Sequence, residues 1–139
     1  MTRDELVQKM AEAMATMEGF YLDSKEPSLA QRNCNPGNIR TWKRADGSYY
    51  PQYKGYVDFV MWAFGDKDKA LTEGWRVLRK QINSYVDGKL HGGKSPTLYQ
   101  MFEKYAPSAD NNHPKQYAEF VASRVGIPPD KPLKELIEA

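Results

Sequence analysis

The chain has 139 residues, 40% of them hydrophobic and 27% charged, enough to bury one ordinary core and too short for two. Twenty Lys and Arg against eighteen Asp and Glu leave a formal charge of +2, which argues against a protein built chiefly to neutralise nucleic-acid phosphates. The single Cys, Cys34, excludes an internal disulfide, and the two His, His91 and His113, form no ligand spacing. Neither a metal nor a cofactor is expected.

Thr2-Arg3-Asp4-Glu5 has the form of a capping box, and Leu6, Val7, Met10, Met14 and Met17 recur at helical spacing. The pattern predicts a first helix from about Arg3 to Met17 or Glu18, stopped by a left-handed cap at Gly19. Arg3, Asp4, Glu5, Lys9 and Glu12 interrupt the apolar residues, so no export signal is expected. No apolar run approaches the roughly 20 residues that cross a bilayer. A monomer made in the cytoplasm, without membrane insertion and carried elsewhere by some other route, is the expectation.

Phe20 to Ile39 has no long period and is rich in turn formers, with one short helix expected around Ser28 to Arg32. From Arg40 to Phe64 the aromatic and β-branched residues Trp42, Tyr49, Tyr50, Tyr53, Tyr56, Val57, Phe59, Val60 and Trp62 predict a small irregular antiparallel sheet, turning at Asp46-Gly47 and Gly55. Asp66 then caps a long helix with Ala70, Leu71, Trp75, Leu78, Ile82 and Tyr85 or Val86 inside, ending at Asp87-Gly88. Ser95-Pro96-Thr97 opens a shorter helix with Pro at its first position, carrying Leu98, Met101, Phe102 and Tyr105 and stopped by Pro107. Asn112-His113-Pro114 opens another, with Tyr117, Phe120, Val121 and Val125 inside and Gly126 at its end, before a last short helix with Leu133, Leu136 and Ile137. These elements make a single α+β domain over residues 1–139, mainly helical, with no phosphate-binding glycine loop.

Glu18 is the leading candidate for chemistry. It is a carboxyl at a helix C-terminus among Met14, Met17, Phe20 and Tyr21, where the helix dipole and burial both favour the neutral acid. The alternative is a carboxylate that projects into water from a frayed helix end. After it comes Ser28-Leu29-Ala30-Gln31-Arg32-Asn33-Cys34-Asn35-Pro36-Gly37-Asn38-Ile39-Arg40, dense in amides, guanidinium groups and turn formers.

Glu18-Gly19-Phe20, a short variable stretch and then Ser-x-Ala-x-Arg-Asn-x-Asn-Pro-Gly-Asn-Ile-Arg resembles the signature of lysozyme-like peptidoglycan-cleaving domains of the lytic transglycosylase type, often encoded by phages and mobile elements. The likeness runs over nearly the whole chain. Phe64-Gly65 stands where the family has a Phe before its central helix, Tyr105-Ala106-Pro107 where it has Trp-Ala-Pro, and Asp110-Asn111-Asn112 where it has an acid-Asn pair. Tyr117, Val121 and Gly126-Ile127 complete the last matching block, while Cys34 departs from the usual Asn.

The resemblance implies a lysozyme-like fold in which Glu18 is the catalytic acid. It would protonate the glycosidic oxygen between N-acetylmuramic acid and N-acetylglucosamine, then take a proton from the muramic C6 hydroxyl to leave a 1,6-anhydro end. One carboxyl suffices for this reaction; Asp23 or Glu26, just downstream, could orient water in a hydrolytic, true-lysozyme alternative. By motif position, Gln31, Arg32, Gly37, Asn38, Ile39 and Arg40 should line the sugar cleft beside Glu18, with Phe64 also contributing and Tyr105, Asn111 and Tyr117 on the opposite wall. Arg32 and Arg40 as salt-bridge partners and Tyr117 as a core residue are the competing structural roles. The expected partner is the peptidoglycan glycan strand and not nucleic acid. A virion component that binds the wall without cleaving it remains the non-enzymatic alternative.

Overall fold

The computed structural model describes residues 1–20, 27–106 and 113–138. The chain divides into two compact units, one of Met1–Ala13 with Lys80–Ala139 and one of Met14–Arg79. Among the described residues there are six α-helices and one two-stranded antiparallel sheet, so the architecture is mainly helical α+β.

Helix α1, Arg3–Met17, begins at the expected capping box: the Glu5 N–H donates to Thr2 Oγ1 at 3.2 Å and the Thr2 N–H to Glu5 Oε1 at 3.4 Å. Leu6, Met10 and Met14 are fully covered, whereas Met17, expected on the same face, is exposed where the helix ends.

The 14–79 unit holds the short helix α2, Leu29–Arg32, and the hairpin of β1, Gln52–Tyr53, with β2, Tyr56–Val57. Gln52 stands opposite Val57 and Tyr53 opposite Tyr56, joined by Lys54-Gly55 with φ of 52° and 84°. Two consecutive left-handed residues match the right-handed twist of the strands. An isolated bridge pairs Lys43 with Tyr49. The core of this unit is Cys34, Ile39, Tyr50, Val57, Phe59, Ala63, Ala70 and Val77, with Trp42, Val60, Trp62 and Leu71 packed against it.

One expectation is corrected here. Phe59, Val60 and Trp62 form helix α3, Phe59–Trp62, and not sheet, because the Asp58 side chain accepts the Met61 N–H at 3.0 Å and caps a helical turn. A side-chain cap outweighs strand propensity that is itself mostly a packing preference. The turn ends on Phe64 and Gly65, both left-handed.

Helix α4, Lys67–Val86, is capped by Asp66, whose Oδ1 accepts the Lys69 N–H at 3.1 Å, and it stops as expected before the left-handed Gly88. Its last turns belong to the other unit, where Ile82 and Val86 are fully covered. Arg3 of α1 reaches Asn83 at 3.1 Å and Asp87 at 2.7 Å there.

Helix α5, Leu98–Tyr105, starts later than expected. Thr97 is the cap, forming a capping box with Gln100, so Pro96 lies outside the helix and Ser95 does not cap it. The reciprocal bonds with Gln100 satisfy two backbone donors, and a Ser95 cap has no such partner at the matching position, which is Leu98. Helix α6, Pro114–Val125, has Pro at its first position and the left-handed Gly126 at its end, and a 3₁₀ turn follows at Leu133–Leu136. Pro107, expected to terminate α5, lies outside the described residues.

Candidate functional site

Glu18 is the C-cap of α1 and is half-buried. Its N–H donates to Met14 O at 3.0 Å, the Gly19 N–H to Thr16 O at 3.1 Å and the Phe20 N–H to Ala15 O at 2.9 Å, with Gly19 at φ 78°. These are the paired bonds of a Schellman ending, so the position of Glu18 is set by backbone geometry that a left-handed Gly19 makes possible. Phe20 packs edge-on against Trp75 of α4, ring centroids 5.7 Å apart, which holds the outgoing chain.

The amide-rich segment is fastened to this turn. Ser28 Oγ donates to Gly19 O at 2.8 Å and also accepts the Gln31 N–H at 3.3 Å, while the Ser28 N–H donates to Gln31 Oε1 at 2.8 Å. One serine therefore caps α2 and ties it to the residue after the acid. Sequence reasoning gave Ser28 no such role.

Asn35 organises the loop that follows. It is fully buried, its Nδ2 donates to Ile39 O and Val57 O at 3.0 Å each, and its Oδ1 accepts the Ile39 N–H at 3.0 Å. Ile39 O also accepts the Val57 N–H at 2.8 Å. The backbone of Ile39 is thus engaged inside the protein and its side chain lies in the core. Asn38 is left-handed at φ 46°, and its Oδ1 is buried without a hydrogen-bond partner, as is Nδ2 of the buried Asn33. Gly37 is buried, while Arg32 and Arg40 are exposed. Arg40 lies over the Tyr56 ring at 5.3 Å, a cation–aromatic contact and not the salt bridge considered for it. Gln31 uses its side-chain oxygen in the α2 cap. Phe64 is 96% exposed.

Helix α4 closes on the loop through Gly74. A Cβ there would stand 2.1 Å from Cys34 O and 2.9 Å from Pro36 Cδ, so the helix backbone lies directly on the 34–36 segment. A lone glycine within a helical pattern is the sequence signal for such an approach, and it went unread. Next to it, Glu73 accepts from Tyr50 Oη at 2.7 Å and from Arg76 Nη2 at 3.0 Å. The Arg76 hydrogen bond, aided by Tyr50, holds the Glu73 carboxyl below the usual range. Burial, followed by the Glu73 hydrogen bond, pushes Tyr50 up to about 12. Cys34 is buried, and that burial raises its thiol, so nothing at this position resembles an activated nucleophile.

The remaining candidates lie in the other unit or outside the described residues. Tyr117 is 4% exposed and stacks on Phe102 at 4.3 Å between centroids, with Tyr105 edge-on to both rings, at 5.9 Å from Phe102 and 6.1 Å from Tyr117. Both tyrosines belong to the aromatic packing of α5 and α6. Asn111, Asp23 and Glu26 lie outside the described residues. No group of His, Cys, Asp and Glu suited to a metal occurs among the described residues. Comparison with family models, with curated proteins and with solved structures returns no match.

Proposed function

We propose that this protein cleaves peptidoglycan glycan strands as a lysozyme-like lytic transglycosylase, with Glu18 as its acid. The observation that carries the reading is the union of two parts of the motif: a half-buried glutamate at the Schellman end of α1, and the Ser28–Arg40 segment tied to that same turn by Ser28 Oγ on Gly19 O. A general acid must be held in place while its proton moves, and three backbone bonds fix the helix end from which the Glu18 side chain projects.

In the proposed reaction the Glu18 carboxyl gives its proton to the glycosidic oxygen as the bond to muramic C1 breaks. The substrate's N-acetyl oxygen stabilises the cation that develops at C1. The muramic C6 hydroxyl then adds to C1 and its proton returns to Glu18, so no water enters the product. Of the segment from Gln31 to Arg40, the exposed guanidinium groups of Arg32 and Arg40 are planar hydrogen-bonding groups of the kind that recognise hydroxyls and acetamides.

Replacing Glu18 by Gln keeps the shape and removes the transferable proton. We expect a fall of about 10²–10⁴-fold in muropeptide release from purified sacculi, with an unchanged melting temperature. Undiminished release by Glu18→Gln would discard the assignment. Mass spectrometry of the wild-type digest separates the two chemistries, since an anhydro end is lighter by one water than a hydrolysed one.

A further inference from the structure

The segment from Arg40 to Val57 contains four cations, Arg40, Lys43, Arg44 and Lys54, against one carboxylate, Asp46. Its net charge of +3 exceeds the +2 of the whole chain, so the remaining residues together are net −1. The charge asymmetry that is invisible in the total is concentrated in this segment, which runs through the Lys43–Tyr49 bridge into the β1–β2 hairpin. Asp46 is itself engaged, accepting from the Ser48 N–H at 2.9 Å and from Ser48 Oγ at 2.6 Å.

Every one of these cations lies by a tyrosine: Arg40 at Tyr56, Lys43 at Tyr49, Arg44 at Tyr50 and Lys54 at Tyr53, between 5.3 and 5.5 Å from the ring centres. Such contacts ordinarily occur about once per 70–80 residues. Tyr50 is core, packed on Phe59 and Trp62. Tyr49 and Tyr53, by contrast, are 56% and 42% exposed. Thr41, Tyr49, Tyr50 and Gln52 line an open groove of about 430 Å³. Its floor is held by the Tyr50 N–H on Trp42 O at 3.0 Å and by Gln52 Nε2 on Arg40 O.

We propose that this hairpin face is a binding surface for a glycan strand bearing carboxylates, with Tyr49 and Tyr53 as platforms for sugar rings and Lys43 and Lys54 as partners for the carboxylates. Lys43 and Lys54 lie over one face of the Tyr49 and Tyr53 rings; the other face takes the apolar side of a pyranose, and the ammonium group meets an acidic substituent on that sugar. Hydroxyl and amide groups at Thr41 and Gln52 suit sugar hydroxyls. The near-balanced charge of the whole chain, +2, gives little attraction to a phosphate polymer, which favours the glycan. The inference rests on the proposed cleavage of peptidoglycan only for the identity of the strand.

The test is cosedimentation of the full chain, in the Glu18→Gln form so that the polymer stays intact, with purified sacculi. Tyr49→Ala with Tyr53→Ala should weaken binding at least about tenfold. Lys43→Glu with Lys54→Glu should weaken it similarly and remove most of its salt dependence between about 0.05 and 0.5 M. Methyl-esterified sacculi should bind the unsubstituted hairpin with the same loss of salt dependence. Unaltered melting of both double variants confirms that surface contacts, and not folding, were removed. Equal binding by parent and double variants overturns the proposal, and so does a single-stranded oligonucleotide that the hairpin binds more tightly than sacculi. A wild-type chain that binds sacculi through the hairpin yet releases no muropeptides would instead refute the cleavage reading and leave this surface standing.

Discussion

A side-chain amide with no exposed surface and three hydrogen bonds, as at Asn35, stands in for regular secondary structure. It pairs both backbone groups of Ile39 and the carbonyl of Val57, residues that no ladder connects to Asn35. Asn35→Ala leaves the Ile39 N–H and the Val57 carbonyl buried and unpaired, at about 1–3 kcal/mol each. We expect a loss of about 3 kcal/mol in stability, read as a shifted urea midpoint with an unchanged slope. The neighbouring Cys34, at φ 50°, occupies a left-handed conformation, which Asn adopts more readily than Cys. The motif was legible as residues; the purpose of Asn35, Ser28 and Ile39 was not, because a hydrogen bond to a group 22 positions away, such as Asn35 to Val57, leaves no local spacing to read.

Helix ends were the most readable elements. The caps at Thr2, Asp66 and Gly126 and the left-handed stop at Gly19 lie where the sequence placed them, since each depends on residues within one turn. The two departures, α3 in place of strand and Thr97 in place of Ser95, concern segments where two local signals compete and a side-chain cap decides, Asp58 in the one and Thr97 with Gln100 in the other. Gly74 illustrates the opposite limit, a helical residue whose identity is dictated by a loop some 40 positions earlier, at Cys34 and Pro36. Gly74→Ala would gain about 1 kcal/mol of helix propensity. It must also place a methyl 2.1 Å from a backbone carbonyl, and that overpacking costs about 1–3 kcal/mol or more. The clash wins, so we expect a lower melting temperature for Gly74→Ala, with Gly74→Ser lower again.

At the scale of the whole molecule, stability should form a plateau against pH with two distinct limbs. Glu73 has its carboxyl lowered in the folded state by Arg76 and Tyr50, so its contribution is present above the unfolded value of 4.5 and is lost as pH falls through the lowered one. Tyr50 and Tyr85 are both raised by burial to about 12, so their contribution is intact below the unfolded value of 10.0 and is lost as pH rises toward 12. Calorimetry across this range should show the acid limb flattened by Glu73→Gln and the alkaline limb made shallower by Tyr50→Phe, with the Tyr85 share remaining. The mainly helical class and small sheet, the first helix with Glu18 at its end, and the amide-rich segment after it were all present in the sequence, because periodicity, caps and turn formers act over a few residues. Only the tertiary structure joined Ser28 to Gly19, laid α4 on Cys34 through Gly74, drew Ile39 inward and left Tyr49 and Tyr53 outward. Those outcomes turn on which surfaces meet, and alternating apolar and polar residues along an irregular segment fit more than one such meeting until packing selects it.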